Sequence, residues 1–273
     1  MSDIPKGWLL WHSYAEYKYR AGESQLFLRT PDGEIISIAG DFHNQMNGCF
    51  GRFPHDIAFM AVSNETGLWS IYRYDAISER ISELTAGCGY DCEDPKFSPD
   101  GSRIVFKRSG DGRFQLAELD LMSGELTLLT DDGSERSMPY YSADGEWVWF
   151  SENNEIKRLN LHSRIVESIY SEPGVRAYYP VCCGNKVYFT KWISPVNEHD
   201  CIMQYDGESV CFCGFDSPFY DCSDACPVGD GTMIYSTTRN GRYDLYYFNG
   251  EKSVRLDEVC SDMDDLGACF FPL

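Results

Sequence analysis

Basic residues are scarce in this sequence. Lys and Arg together number 23 against 43 Asp and Glu, a formal net charge of −20 over 273 residues. So acidic a chain repels phosphate backbones and anionic headgroups, so neither general nucleic-acid binding nor a membrane partner is expected. Long apolar runs are missing too, since no window approaches the ~18 apolar residues that a membrane span needs. The opening MSDIPKGWLLWHSY has no basic stretch followed by a long apolar one, so no export signal is expected and a cytoplasmic location is. There is no G-x-S-x-G elbow and no phosphate-binding P-loop. Nowhere does a helical apolar period persist for three turns.

Cysteine is plentiful, with 12 copies, but paired C-x2-C spacings are absent. The observed spacings are Cys88-x3-Cys92, Cys211-x-Cys213, Cys222-x3-Cys226 and adjacent Cys182-Cys183. None is the pattern of a zinc site. In a reducing compartment these residues read as small buried hydrophobes and loop thiols, with a metal or redox role as the alternative.

What the chain does have is aromatics, at 15%, and a repeat. An apolar run ending in an aromatic occurs six times, ending at Trp11, Phe59, Phe106, Phe150, Phe189 and Tyr235, at intervals of 48, 47, 44, 39 and 46 residues. That spacing matches a four-stranded propeller blade. After each landmark come a loop, a strand, in most copies a turn such as Pro31-Asp32-Gly33 or Asn249-Gly250, and a last short strand. Those turn residues tolerate the positive φ of a hairpin. A further strand precedes five of the landmarks, but only MSDIPK precedes the first. The missing one is predicted to be DDLGACFFPL, Asp264 to Leu273, which stands alone at the other end. The expected architecture is all-β, a single domain over 1–273 with six four-stranded antiparallel blades, the ring closed by the C-terminal strand completing the first blade.

The stretch EDPKFSPDGSRIVFKR, Glu93 to Arg108, followed by LDLMSGELTLLT, resembles the repeat of TolB-like β-propellers, a WD-like family with a D-P-x-F-S-P-D-G core. MPYYSADGEWVWF, from Met138, matches moderately, and the second, fifth and sixth copies match mainly in strand order. The resemblance implies a six-bladed propeller and leaves function open, because propellers host hydrolases, lyases, peptidase gates and binding modules. TolB itself is exported and has an additional domain; neither is expected here.

In a propeller the first strand of each blade lines the central channel. Its start shares one end, the top, with the loops between second and third strands. Two long loops fall there, His12 to Ser24 and Lys191 to Asp200, as do two incoming connections, Gly40 to Gly48 and Gly214 to Cys226. Loops on a rigid ring are where ligands usually bind. Lys107, Arg108, Lys191 and Arg239 are expected near that mouth as a basic ring for an anionic ligand such as a uronic acid. The competing reading is that they neutralise Glu93, Asp94, Asp221 and Asp224. Glu93, Asp94, Asp224, Asp264 and Asp265 are expected at equivalent starts of channel strands, where carboxylates divide into acid and base or nucleophile. Alternatively Asp94 belongs to the repeat and caps backbone N–H groups. Asn47 opens the matching strand of the second copy.

Among five His, His43 and His199 fall on top loops and either suits a general base. With His12 they are the set from which a divalent metal would be held, as in the oligogalacturonate lyases that share this repeat style; no cofactor is otherwise expected. His55 and His162 fall in bottom turns. Trp192, Tyr140, Tyr179, Tyr17 and Tyr19 are candidates for a sugar-stacking platform, with packing between blades as the competing role of Tyr140 and Tyr179. The reading is a small anionic or carbohydrate ligand bound at the top of the channel, contacted by Asn47, Asp94, Lys107, Tyr140, Tyr179, Trp192, His199 and Arg239. Two alternatives stay open. One is a lyase or hydrolase on acidic saccharides, with Asp224, Glu93, His43 and Lys191 as catalytic groups. The other is a scaffold that binds a protein partner without chemistry.

Overall fold

A computed structural model describes residues 5–15, 23–38, 42–110, 112–193, 197–213, 219–229 and 231–273. Twenty-four strands form six four-stranded antiparallel sheets arranged as a six-bladed β-propeller, with no helix among the described residues. Blade one consists of β1 (Gly7–Tyr14), β2 (Gln25–Arg29), β3 (Ile35–Ser37) and the C-terminal β24 (Asp264–Pro272). Its order is β24-β1-β2-β3, so the last strand supplies the innermost position, as the sequence predicts. The other innermost strands are β4 (His43–Phe50), β8 (Cys92–Phe97), β12 (Arg136–Tyr141), β16 (Val175–Cys183) and β20 (Cys222–Gly229). Each is followed by its own second strand: β5 (Asp56–Val62), β9 (Arg103–Gly110), β13 (Trp147–Glu152), β17 (Lys186–Ile193) and β21 (Thr232–Thr237).

The six aromatic landmarks all lie on second strands, and all are at most 2% exposed. Alternation along these strands explains why the repeat is needed for stability. Leu10 packs with Ile57 and Phe59 toward blade two, while Leu9 and Trp11 pack with Ile234 and Leu245 toward blade six. The same division recurs around the ring, giving six apolar clusters, each shared by two neighbouring blades. A blade therefore buries neither face alone. The Pro99-Asp100-Gly101 turn is held from inside: Asp100 Oδ1 accepts from Ser98 Oγ at 2.6 Å and Ser102 N at 3.0 Å, with Gly101 at φ 73°. Its echo at Ser142–Gly145 repeats the Gly N to Ser O bond, at 3.0 Å against 2.8 Å.

Candidate functional site at the top of the channel

Every innermost strand carries a one-residue bulge at the same place. Glu93 pairs with Lys107 and Lys96 with Val105, so two residues, Asp94 and Pro95, face one, Phe106. The same count recurs opposite Phe59, Phe150, Phe189, Tyr235 and Trp11. The landmark aromatics of the sequence thus mark the bulges. The first bulged residue is left-handed in all six: Asn47 (φ 54°), Asp94 (58°), Met138 (54°), Tyr179 (59°), Asp224 (52°) and Gly267 (64°). Such a bulge re-aims a side chain, and here it turns five of them into the channel. The sixth is glycine because a Cβ there would sit 2.3 Å from the His12 ring.

The result is a funnel of about 460 Å³ lined by the five bulge side chains together with, among others, His12, Glu93, Lys107, Trp69 and Tyr178. Asn47 Nδ2 donates to Asp94 Oδ1 at 2.7 Å. Lys107 Nζ lies 3.0 Å from Glu93 and 3.4 Å from Asp94 Oδ2. Asp224 Oδ2 accepts from Gly267 N and Ser236 Oγ, both at 3.3 Å. Burial raises the Asp224 carboxyl above its usual range, against the pull of those two donors. Burial also raises Glu93, opposed by Lys107 and reinforced by Asp94. His12 is pushed down to about 3 by burial and then by Lys96, so the imidazole is neutral. Its Nδ1 has no hydrogen-bond partner among the described residues.

Of the sequence-predicted residues, His12, Asn47, Glu93, Asp94, Lys107, Tyr179 and Asp224 meet in this funnel. The others do not. The basic ring fails to form, because the cations find partners on or near their own blades. Lys191 Nζ pairs with Glu172 at 2.7 Å, Arg239 bonds the Tyr220 hydroxyl at 2.7 Å, and Arg108 lies 3.9 Å over the Tyr90 ring. Trp192 is covered by Arg176 at 4.7 Å. Tyr140 belongs to the lower channel. Tyr17 and Tyr19 lie outside the described residues.

The three imidazoles of the expected metal set are also dispersed. His12 is in the funnel wall, His43 is an exposed rim residue 2.5 Å from Glu23, and His199 Nδ1 lies 3.5 Å from Asp221. Among the described residues the one cluster of metal-type ligand atoms is Asp244, Cys260 and Asp265. There Asp244 is already bidentate to Arg255, at 2.9 Å to each oxygen. Asp264 and Asp265 are not the counterparts of Asp94 and Asp224; Gly267 is. Asp264 instead accepts from Tyr243 N at 2.9 Å, as Asp91 does from Trp69 N at 3.0 Å and Asp221 from Asp200 N at 2.9 Å. The backbone tether expected of Asp94 is thus made three residues earlier. Met138 and Tyr178 were not anticipated in the funnel, although counting back from the landmark aromatic finds the first of them.

No family model matches the sequence. An uncharacterised protein of Agrobacterium fabrum is 31% identical over 108 residues, which span 38% of this chain and 37% of that protein. Among solved structures, TolB from Acinetobacter baumannii superposes with a TM-score of 0.75 at 16% identity, covering 98% of this chain and 67% of that one. This chain has the TolB-like propeller fold. Hydrazine synthase of Kuenenia stuttgartiensis also contains a similar propeller, at a TM-score of 0.79 and 15% identity, over 98% of this chain and 47% of that chain. An oligogalacturonate lyase from Vibrio parahaemolyticus gives 0.58 at 13% identity, over 92% and 73%.

One group in this TolB-like propeller is set to titrate near neutrality. Asp200 is pushed up to about 7, by burial first and by Asp221 and Asp224 nearby, although the Tyr178 hydroxyl donates to it at 2.5 Å. The folded chain therefore holds a proton that the unfolded chain has released between about pH 4 and pH 7. Stability from this group falls as pH rises through that window. His12, lowered in the fold, acts with the opposite sign below its ordinary pKa, so the test is a difference. Asp200→Asn, which keeps an acceptor for Tyr178, is expected to gain in melting temperature over the parent as pH rises from 5 to 8. A pH-independent difference would show Asp200 to be ionised throughout.

Proposed function

We propose that the top funnel binds a small neutral or cationic ligand rich in hydroxyl or amino groups, an amino sugar being the chemistry it suits best. The observation that carries this is the bulge ring. It turns Asp94 and Asp224 inward beside Glu93, while the one lysine in the lining, Lys107, is already shared between Glu93 and Asp94. Three carboxylates against one committed ammonium disfavour an anion and favour donors. Asn47 and the Tyr178 and Trp69 rings supply an amide and apolar faces of the kind sugars pack against. Recognition needs no bond-breaking step. We also propose a reducing, cytoplasmic setting, in which the 12 cysteines of the sequence stay as thiols.

Isothermal titration with glucosamine, glucose and glucuronate tests the charge preference directly. Glucosamine is expected to bind most tightly and glucuronate least. Asp224→Asn is expected to weaken glucosamine roughly 10- to 100-fold, the cost of one charge-assisted hydrogen bond. Preference for glucuronate, or an unaltered Asp224→Asn, sinks the reading. Silence toward all three sugars moves the weight to a protein partner across the top face.

A further inference from the structure

Below the bulge ring the channel continues into a second, smaller chamber of about 150 Å³. Tyr179 lines both cavities and stands between them. The residues two positions beyond the bulges form the wall here, including Cys49, Lys96, Tyr140, Cys226 and Cys269. In a chain of net charge −20, this wall contains one charged side chain, and it is a cation.

Lys96 lines this chamber. Its charge is felt by Cys49 on β4, by Asp224 and Cys226 on β20, by Cys269 on β24 and by His12 on β1. Those strands lie on blades one, two and six, whereas Lys96 belongs to blade three. Among the described residues no carboxylate lies within ion-pair distance of its ammonium. The surrounding thiols do not neutralise it, because burial pushes Cys49 up to about 12 and raises Cys226 and Cys269 as well. Tyr140 and Tyr179 are held in their protonated form by burial, and neither hydroxyl has a hydrogen-bond partner among the described residues. An ammonium and two phenol O–H donors thus line a confined space whose own wall carries no carboxylate. Lys96 is only partly buried, so its ammonium stays open to a ligand that enters the chamber.

We propose that the lower channel is a binding site for a short-chain monocarboxylate, its oxygens held by Lys96, Tyr140 and Tyr179 and its aliphatic end against the thiol wall. A carboxylate supplies the missing charge and enough lone pairs for all three donors. The Cys, Phe, Val and Ala side chains around them suit a small apolar tail and leave a second charge on the ligand unpaired. This site is separate from the top funnel and opposite to it in charge preference.

The test is a thermal-shift titration of the full chain with acetate and propionate, with chloride and glucosamine in parallel. Propionate and acetate are expected to give a saturable rise in melting temperature, about 5 °C at roughly 100 times the dissociation constant. Lys96→Met is expected to abolish that rise and Tyr140→Phe to weaken it, while any glucosamine response survives in Lys96→Met. No saturable rise with either acid, or an equal rise in Lys96→Met, overturns the proposal. A chloride response that saturates like that of acetate overturns the assignment to a carboxylate. If Lys96→Met does not fold, Lys96→Gln and Tyr140→Phe carry the same comparison. The glucosamine arm reports on the funnel alone, so failure of one site is distinguishable from failure of the other.

Discussion

Deletion of Asp264 to Leu273 is expected to abolish folding. These ten residues include β24, the innermost strand of blade one, which pairs with β1 from Gly7↔Pro272 to Tyr14↔Asp264. Without them β1 becomes an open edge in the middle of the molecule. Cys269, which packs against two of the inter-blade clusters, and Phe270, which packs against a third, both lose their place. Asp265, fully buried and bonded to Ser13 and to Ser261 N, disappears with its partners left unmatched. Four or five apolar side chains at about 1.5–3 kcal/mol each, with orphaned backbone groups added, amount to roughly 10 kcal/mol. That is comparable to the whole stability of an ordinary domain. The truncated chain is expected to be insoluble or to show no cooperative melt by circular dichroism. A circular permutant provides the positive control. Leu273 N already donates to Lys6 O at 3.4 Å, so residues 264–273 joined by a short turn to the start of β1 make the same hairpin that every other blade has. That permutant is expected to melt cooperatively near the parent. A cooperative, parent-like melt from the truncated chain would refute closure by the last strand.

Arg136→Ala, at the start of the innermost strand of blade four, is the most damaging single substitution expected outside the two cavities. Arg136 is 2% exposed, and its guanidinium bonds Glu152 at 2.5 Å and both oxygens of Asp132 at 2.8 and 2.7 Å. Glu152 is itself 5% exposed and shares its other oxygen with Lys157. Removing the guanidinium strands a buried carboxylate with half its counter-charge. Loss of one member of such a network costs about 3–5 kcal/mol, which for a chain of this size lowers the melting temperature by roughly 10 °C. Arg158→Ala serves as the comparison. Arg158 bonds Glu167 at the surface, and that pair is worth about 1 kcal/mol or less. Equal, small shifts in both variants would show that water reaches Glu152.

Much of this molecule was legible in one dimension. Aromatic landmarks at blade spacing, Pro-Asp-Gly turns and an orphan strand at the far end gave the blades and their closure, because period, turn chemistry and unpaired edges are local properties. The channel strands were legible too, and with them Asn47, Glu93, Asp94 and Asp224. What misled was charge. Lys191 and Arg239 look like funnel cations in sequence, yet Glu172 and Tyr220 take them up.

The sequence by itself determined the repeat, the sixfold ring and the identity of its innermost strands, since apolar alternation and turn residues act between neighbours along the chain. Only the tertiary structure decided which side chains enter the channel and what charge each cavity presents. A bulge shifts register by one residue, and that shift alone turns Asp94, Tyr179 and Asp224 inward. Lys107 is neutralised within its own blade by Glu93 and Asp94, whereas the surroundings of Lys96 come from strands of other blades that meet only when the ring closes.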